Sequence, residues 1–201
     1  MKQMIKAIIF DLNGIFIQSP NLSARFQEKF GVPIEEFLSA LKVIMPKVRK
    51  FNKGNNFAYW KPFLEKWNVN LTEEKFFNFW FSGEKENLKL VELAKQIKKK
   101  GIKIFILSNN FKERSNYYLD NFQFLKEIPD KIYFSWQTGF VKPDPKAFEN
   151  LLSENNLKPE ECLYFDDSER NIEVANGLGI NAFLFKDIED FKKVLAKYQL
   201  T

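Results

Sequence analysis

"IIFDLNGIFIQSP", residues 8–20, is the stretch from which the fold of this chain is best read. An apolar run ends at the carboxylate of Asp11, and the amide of Asn13 and then Gly14 follow directly. Strands that are buried on both faces of a parallel sheet have this nearly continuous apolar composition. The stretch therefore predicts a buried strand that carries a charged group at its carboxyl end.

Further apolar runs with the same composition predict a complete sheet. The five predicted strands are residues 6–12, 102–108, 131–136, 162–167 and 181–185. Segments with helical spacing of apolar residues separate the last four, at residues 111–122, 145–155 and 169–178. Strands that alternate with helices are typical of an open parallel α/β sheet flanked by helices, a Rossmann-like arrangement.

Residues 19–86 interrupt this alternation. They contain no convincing strand, and segments such as "IEEFLSALKVIM" and "NFAYWKPFLEKWN" space their apolar residues as helices do. We therefore expect an α/β core made of residues 1–18 and 87–201, with a small helical insertion that we call the cap (residues 19–86). The bulky aromatic residues of this insertion are expected to pack its own interior, or in one or two cases to line a cleft: Trp60, Trp67, Phe76, Phe77 and Trp80.

The composition narrows the range of functions. The 201 residues include no histidine, which excludes Ser-His-Asp and Cys-His nucleophiles and any His-ligated zinc site. The net charge of +5 is spread along the chain, and its densest run, residues 95–103, is expected at a helix C-terminus rather than on a nucleic-acid surface. The single cysteine, Cys162, and the lack of a signal-peptide pattern or membrane-length run lead us to expect a cytoplasmic protein that binds neither membrane nor nucleic acid, as a monomer or homodimer.

Polar side chains follow three of the predicted strands. They are Asp11 and Asn13, then Ser108, Asn109 and Asn110, and finally Asp166 and Asp167. The carboxyl ends of parallel strands share one edge of the sheet, which is where such sheets bind ligands. One acidic strand end alone could be a helix cap, but carboxylates from two strand ends would repel each other unless a cation lay between them. An oxygen-ligated ion such as Mg²⁺ meets that need.

Lys142 lies in the loop "GFVKPDPKAF", residues 139–148, where two prolines restrict the chain. A lysine held near several carboxylates would neutralise them and could bind a phosphate oxygen. Taken alone, the segment is equally typical of a surface lysine before a helix.

Four motifs together resemble the haloacid dehalogenase (HAD) superfamily, whose members are mostly phosphatases. "FDLNG" resembles its first motif, "ILSNN" its second, "KPDP" its third and "YFDDSERNI" its fourth, and they occur in order over nearly the whole chain. The insertion after the first motif resembles the helical cap of the subgroup that includes phosphoglycolate and sugar-phosphate phosphatases. The resemblance implies a Mg²⁺-dependent hydrolase of a small phosphorylated metabolite.

The resemblance also implies roles for single residues. Asp11 matches the nucleophile that forms an aspartyl phosphate, and Ser108 and Asn109 match groups that bind phosphate oxygens. Lys142 matches the cation that steadies the nucleophile and the phosphoryl group.

The same resemblance implies a set of metal ligands. Asp167 matches the chief Mg²⁺ ligand, with Asp166 beside it. Asp11 and the backbone carbonyl of Asn13 would complete the protein's share of the ligands.

Asn13 departs from the family pattern, which has a second aspartate there as general acid and base. An amide cannot transfer that proton at neutral pH, and loss of such a group typically costs about 10²- to 10⁴-fold in rate. Four readings stay open. The chain is a slow or specialised phosphatase, a non-catalytic phosphate binder, a phosphatase with an acid-to-amide substitution introduced to trap substrate, or a dehalogenase. The last fits its motifs poorly.

Overall fold

The computed structural model describes residues 4–51 and 54–200 and shows a parallel sheet with helices on both faces. The strands are β1 (Ala7–Phe10), β2 (Ile17–Gln18), β3 (Lys85–Glu86), β4 (Lys103–Ser108), β5 (Lys131–Phe134), β6 (Cys162–Asp166) and β7 (Asn181–Leu184). The helices are α1 (Leu22–Phe30), α2 (Ile34–Val48), α3 (Phe57–Lys66), α4 (Glu73–Phe81), α5 (Leu88–Lys99), α6 (Lys112–Asn121), α7 (Phe124–Glu127), α8 (Ser135–Thr138), α9 (Pro145–Glu154), α10 (Glu169–Gly177) and α11 (Ile188–Lys197).

The main sheet has the strand order β5-β4-β1-β6-β7, and every neighbouring pair is parallel. Ile8 of the central strand pairs with Ile104 on one side and Leu163 on the other. The chain fills one side of β1 with β4 and β5 before it crosses to β6 and β7. The carboxyl ends of β1 and β6 therefore lie where the strand order reverses, which is the usual ligand site of open α/β sheets.

The central strand is buried on both faces, as its apolar run predicts. Successive side chains point to opposite faces of a strand. Ile8 and Phe10 accordingly join one hydrophobic cluster, while Ala7 and Ile9 join the cluster on the other face. This packing confirms the open parallel α/β sheet that was predicted from the sequence.

The helices α1–α4 all lie within the cap and share a third hydrophobic cluster. Trp60 is at its centre, stacked on Phe37 with ring centroids 5.5 Å apart and in edge contact with Trp80 at 5.3 Å. Four of the five aromatic residues named above are buried in this cluster and Trp67 packs against it, which confirms that they pack the cap interior. Trp80 also lines a cavity, as the sequence allowed for one or two of them. Phe111, at the start of α6, continues the cluster into the core. The boundaries that divide core from cap stay predictions.

Three sequence predictions were wrong in detail, and one of them is the first core strand, which ends at Phe10 rather than residue 12. Residues 19–86 do contain a strand, because Lys85–Glu86 pairs antiparallel with Ile17–Gln18 where the chain enters and leaves the cap. A strand of two residues is too short to show any periodicity. The third core strand also ends at Phe134 rather than residue 136, since Ser135 begins the short helix α8.

We also compared the helices with the dimensions of a bilayer. In the part of the chain that the structure describes, every helix is too short or too polar to cross a membrane.

Candidate active site

The end of β1 places Asp11 between the ends of two neighbouring strands. The backbone N–H of Asp11 donates to the carbonyl of Phe165 (2.9 Å), which extends the β1–β6 pairing to the last residue before the loop. Asp11 is only 9 % exposed. A carboxylate this deeply buried needs a compensating charge or hydrogen bonds.

Lys142 supplies that charge. Its Nζ donates to Asp11 Oδ1 at 2.8 Å, to Asp166 Oδ2 at 2.6 Å and to the Tyr164 hydroxyl at 3.1 Å. Lys142 is 4 % exposed, so the ion pairs are shielded from solvent. The loop lysine therefore faces the carboxylates, as the resemblance implies, and the alternative of a surface lysine is wrong.

Several groups fix the orientation of the Asp166 carboxylate. The amide of Asn171 donates to its Oδ2 at 3.0 Å, and the backbone N–H of Ser168 donates to its Oδ1 at 2.8 Å. The hydroxyl of Tyr164 also contacts Oδ2. Asp166 thus carries a full set of partners and is held rigidly beside Lys142.

Burial and ion pairing act against each other on the titration of these groups. Burial raises the pKa of Asp11 to about 6, although the attraction of the Lys142 ammonium opposes the rise. Burial alone would raise the pKa of Asp166, but the charge and hydrogen bonds of Lys142 outweigh burial and lower it. Burial would lower the pKa of Lys142, yet the two carboxylates raise it, so the lysine stays charged at neutral pH.

A third carboxylate completes an acidic cluster. Oxygen atoms of Asp11, Asp166 and Asp167 lie within 4.8 Å of one another, and one ammonium, that of Lys142, contacts two of the three groups. A hard divalent cation would balance the remaining charge, so the donor set fits Mg²⁺. Gly14 adjoins this cluster with φ +83°, and a Cβ built there would lie 2.2 Å from Asp167 Oδ2. Only glycine fits at that position.

Ser108 and Asn109, the phosphate-binding residues predicted from the second motif, lie in different environments. Ser108, at the end of β4, is buried, and its Oγ has no hydrogen-bond partner in the part of the chain that the structure describes. The side chain of Asn109 instead holds Lys142. Its Oδ1 accepts from the backbone N–H of Lys142 at 2.8 Å, and its Nδ2 donates to the carbonyl of the same residue at 2.7 Å.

The amide of Asn13 is engaged at both ends. Its Nδ2 donates to the Tyr118 hydroxyl at 2.6 Å, and its Oδ1 accepts from the Asn110 amide at 3.4 Å. Burial raises the pKa of Tyr118 well above its ordinary value, so the phenol is poorly matched to proton transfer near neutral pH. Tyr118 is therefore not a ready substitute for the missing acid.

The predicted residues meet at one cavity of about 570 Å³. The structure places six of them in its wall: Asp11, Asn13, Asn109, Lys142, Asp166 and Asp167. It leaves Ser108 buried at the end of β4. The convergence was expected, whereas the chemical role of each residue stays a prediction.

Three arginines in the wall were missed, one of which is Arg170 in the first turn of α10. Arg49 comes from the end of α2 in the cap, and Arg114 comes from α6. Arg114 donates to Glu84 Oε1 through Nε (2.9 Å) and Nη2 (2.5 Å), and Nη2 also donates to the Ser19 hydroxyl (2.8 Å). Ser19 and Glu84 lie where the chain enters and leaves the cap, so Arg114 links the two connections between core and cap. A single arginine on an amphipathic helix gives no signal that separates it from a solvated face.

Comparison with known proteins agrees with this geometry. A family model for the haloacid dehalogenase-like hydrolases matches residues 4–179. Bifunctional epoxide hydrolase 2 from Sus scrofa is 26 % identical over 214 residues, covering 96 % of this chain, which spans only 38 % of that longer protein. Phosphorylated carbohydrates phosphatase from Thermotoga maritima is 27 % identical over 180 residues, covering 88 % of this chain and 82 % of that protein.

A solved structure shares the fold. The HAD family enzyme bt-2542 from Bacteroides thetaiotaomicron, in complex with magnesium and inorganic phosphate, gives a TM-score of 0.79 at 24 % identity, covering 94 % of this chain and 98 % of that one. The family match spans most of the chain and includes every strand end that forms the cavity. The chain therefore belongs to the haloacid dehalogenase-like hydrolase family.

Proposed function

We propose that the protein is a Mg²⁺-dependent phosphatase-like hydrolase that acts on a small phosphorylated metabolite through an aspartyl-phosphate intermediate. One observation carries the proposal, namely that Lys142 bridges the buried carboxylates of Asp11 and Asp166. This arrangement keeps Asp11 ionised beside a cation that can receive phosphoryl oxygens. Phosphatases among the sequence relatives support the same assignment.

The chain's own residues supply the nucleophile and the phosphate-binding groups in both halves of the reaction, while protons are exchanged with solvent. A carboxylate oxygen of Asp11 attacks phosphorus, the bond from phosphorus to the ester oxygen breaks, and the leaving group departs with the bonding electron pair. Water then attacks phosphorus of the aspartyl phosphate, which releases inorganic phosphate and restores Asp11. Lys142 and the unpartnered hydroxyl of Ser108 would hold the phosphoryl oxygens through both steps.

The acidic cluster would hold the metal ion. Asp11, Asp167 and the carbonyl of Asn13 would be ligands, with Asp166 beside them. When bound, Mg²⁺ offsets negative charge on the phosphoryl group. Crystals of an enzyme with the same fold contain magnesium and phosphate, which supports this choice of ion.

Asn13 sets the proposed substrate range. Because an amide cannot protonate the leaving oxygen, esters with poor leaving groups, such as sugar phosphates, should react slowly. Acyl and aryl phosphates depart without that proton and should react faster. The protein is thus proposed to be a weakened or specialised phosphatase. We also propose a cytoplasmic location, supported by the buried and unpaired thiol of Cys162.

The test is hydrolysis of a panel of phosphorylated metabolites and one aryl phosphate, with and without Mg²⁺. We expect Mg²⁺-dependent release of phosphate that Asp11→Asn abolishes. Asn121→Ala is the matched control, because Asn121 is exposed and remote from the cavity wall. Hydrolysis that survives Asp11→Asn would overturn the aspartyl-phosphate route.

A second candidate function is phosphate binding without turnover. The engagement of both ends of the Asn13 amide favours it, because that residue is fitted to a hydrogen-bond network rather than to proton transfer. This candidate predicts that phosphate with Mg²⁺ raises the melting temperature while turnover on every member of the panel stays at background. Turnover lost with Asp11→Asn would exclude it.

A further inference from the structure

The buried polar atoms that lack a partner are not scattered through the molecule. In residues 4–51 and 54–200 there are three such side-chain atoms, namely Arg49 Nε, Glu84 Oε2 and Ser108 Oγ. Unpaired buried polar groups are rare in folded proteins and each needs an explanation. Ser108 is explained by the proposed phosphate site, whereas Arg49 and Glu84 are not.

Both of these residues line a second cavity of about 620 Å³ under the cap. It adjoins the catalytic cavity, because the two have Ser19, Arg49, Asn109, Arg114 and Lys142 in common in their walls. A phosphate ester bound at Asp11 would therefore extend its leaving group into this second space. Whatever lines the second cavity would select the leaving group.

The charges of the second cavity point to the kind of leaving group. Of its cations, Lys142 is paired with Asp11 and Asp166, and Arg114 is paired with Glu84. The structure shows no ion pair for Arg49 within the described residues, nor for the neighbouring wall lysines Lys42 and Lys50.

Of these three cations, Arg49 has the greatest need of an anionic partner. It is partly buried with a desolvated Nε, whereas Lys42 and Lys50 are exposed and solvated. Burial and the like charge of Arg114 lower the pKa of Arg49, and the charge of Asp11 opposes them only in part. A guanidinium in this state matches an anion, and it can form paired hydrogen bonds with a carboxylate or phosphate.

We propose that Arg49 binds a second anionic group on the substrate, so that the preferred substrates are phosphate esters whose leaving group carries a carboxylate or another phosphate. The proposal rests on the proposed function, because it assumes that the phosphoryl group binds at Asp11. The unpaired oxygen of Glu84 would repel an anion and accept a hydrogen bond, which confines the anionic group to the Arg49 side of the cavity.

The test uses binding of compounds that cannot be hydrolysed, so that it does not depend on turnover. 3-Phosphonopropionate and propylphosphonate have the same chain length and differ in whether a carboxylate ends the chain. Their dissociation constants are measured by titration calorimetry with Mg²⁺, and the comparison is repeated with longer spacers. Propane-1,3-bisphosphonate tests phosphate in place of carboxylate.

For the unmodified protein we expect the compound with the second anion to bind roughly tenfold to hundredfold more tightly than its partner. Arg49→Gln should abolish most of that preference and leave the affinity for propylphosphonate nearly unchanged. Arg49→Lys keeps the charge and should keep part of the preference. Lys47→Gln is the control, because Lys47 is a cation at the end of α2 that contacts Tyr59 and lies outside both cavity walls.

Equal affinity for the two compounds at every spacer length, or weak binding of both, would overturn the proposal. An equal loss for both compounds in Arg49→Gln would overturn it as well, since Arg49 would then hold the phosphoryl group itself. Failure of the proposed function would be recognised by a different observation. In that case the Asp11→Asn variant would still hydrolyse the phosphate esters, whatever the binding preference of the unmodified protein.

Discussion

Asn13 Nδ2 lies 2.6 Å from the hydroxyl oxygen of Tyr118 and donates a hydrogen bond to it. The amide therefore occupies the position of the family's acid as a hydrogen-bond donor, where a carboxylate would be an acceptor. Burial raises the pKa of Tyr118 most, the charge of Arg114 opposes the rise, and the charge of Glu84 adds to it. The Arg114 guanidinium lies 5.4 Å from the centroid of the Tyr118 ring and is paired with Glu84, where the chain leaves the cap.

We expect Asn13→Asp to raise kcat on alkyl phosphates by at least about tenfold, because it supplies a group that can protonate the leaving oxygen. The gain on an aryl phosphate should be much smaller, since that leaving group needs no proton. Steady-state hydrolysis of an alkyl and an aryl phosphate by both proteins measures the ratio. Equal gains on both esters would show that residue 13 acts on something other than leaving-group protonation.

The second half of the reaction predicts a burst. Water attack on the aspartyl phosphate normally needs a base, and Asn13 cannot provide it. With an aryl phosphate, we expect rapid release of about one equivalent of the phenol per active site, followed by slow turnover as the intermediate accumulates. Stopped-flow absorbance follows the phenol, and intact-protein mass spectrometry detects the phosphorylated chain.

Two variants control this experiment. Asp11→Asn should remove the burst, and Asn13→Asp should shorten the life of the intermediate by restoring the base. A linear time course in the unmodified protein, with turnover present, would place the slow step before phosphoryl transfer and contradict the prediction.

The sheet and the acidic cluster were predictable for one physical reason. Strands buried on both faces must be apolar along their length, so the polar groups that end them, such as Asp11 and Asp166, stand out clearly. Parallel strands then bring those ends to a common edge without any knowledge of side-chain packing. The paired strands Ile17–Gln18 and Lys85–Glu86 were not predicted, because a strand of two residues shows no periodic pattern of apolar residues.

The cap side of the site could not be predicted in this way. Arg49 reaches the cavity because α2 ends beside it, and Glu84 because the chain leaves the cap there. Neither position has a periodic or motif signal, and their environment depends on how cap and core pack together. For Asn109, the resemblance implied a contact with phosphate, whereas the structure shows its amide bound to the backbone of Lys142.

That pair of hydrogen bonds predicts a positioning role for Asn109. We expect Asn109→Ala to lower the free energy of unfolding by about 1–3 kcal/mol, because two hydrogen bonds to the Lys142 backbone are lost. The displaced lysine should also reduce kcat and weaken inhibition by inorganic phosphate, because Lys142 is proposed to hold phosphoryl oxygens. Urea unfolding and steady-state kinetics measure these effects, with the exposed Asn121→Ala as control. Weaker phosphate inhibition with the free energy of unfolding unchanged would instead support direct binding by the Asn109 side chain.

The close approach of Gly14 to Asp167 gives the sharpest test of the proposed metal site. Alanine at position 14 faces two obstacles, a φ of +83° and a Cβ that would lie 2.2 Å from Asp167 Oδ2. The first should cost about 1–2 kcal/mol of stability. The second can be relieved only if the Asp167 carboxylate moves, and we therefore expect Gly14→Ala to weaken Mg²⁺ binding strongly in titration calorimetry.

Gly101 separates the two effects. It has the same φ of +83°, but a Cβ there would meet nothing within 4 Å. Gly101→Ala should thus lose a similar amount of stability and keep its affinity for Mg²⁺. If Gly14→Ala binds Mg²⁺ as tightly as Gly101→Ala does, the Asp167 carboxylate is not a ligand, and the metal must be held by Asp11 and Asp166 without it.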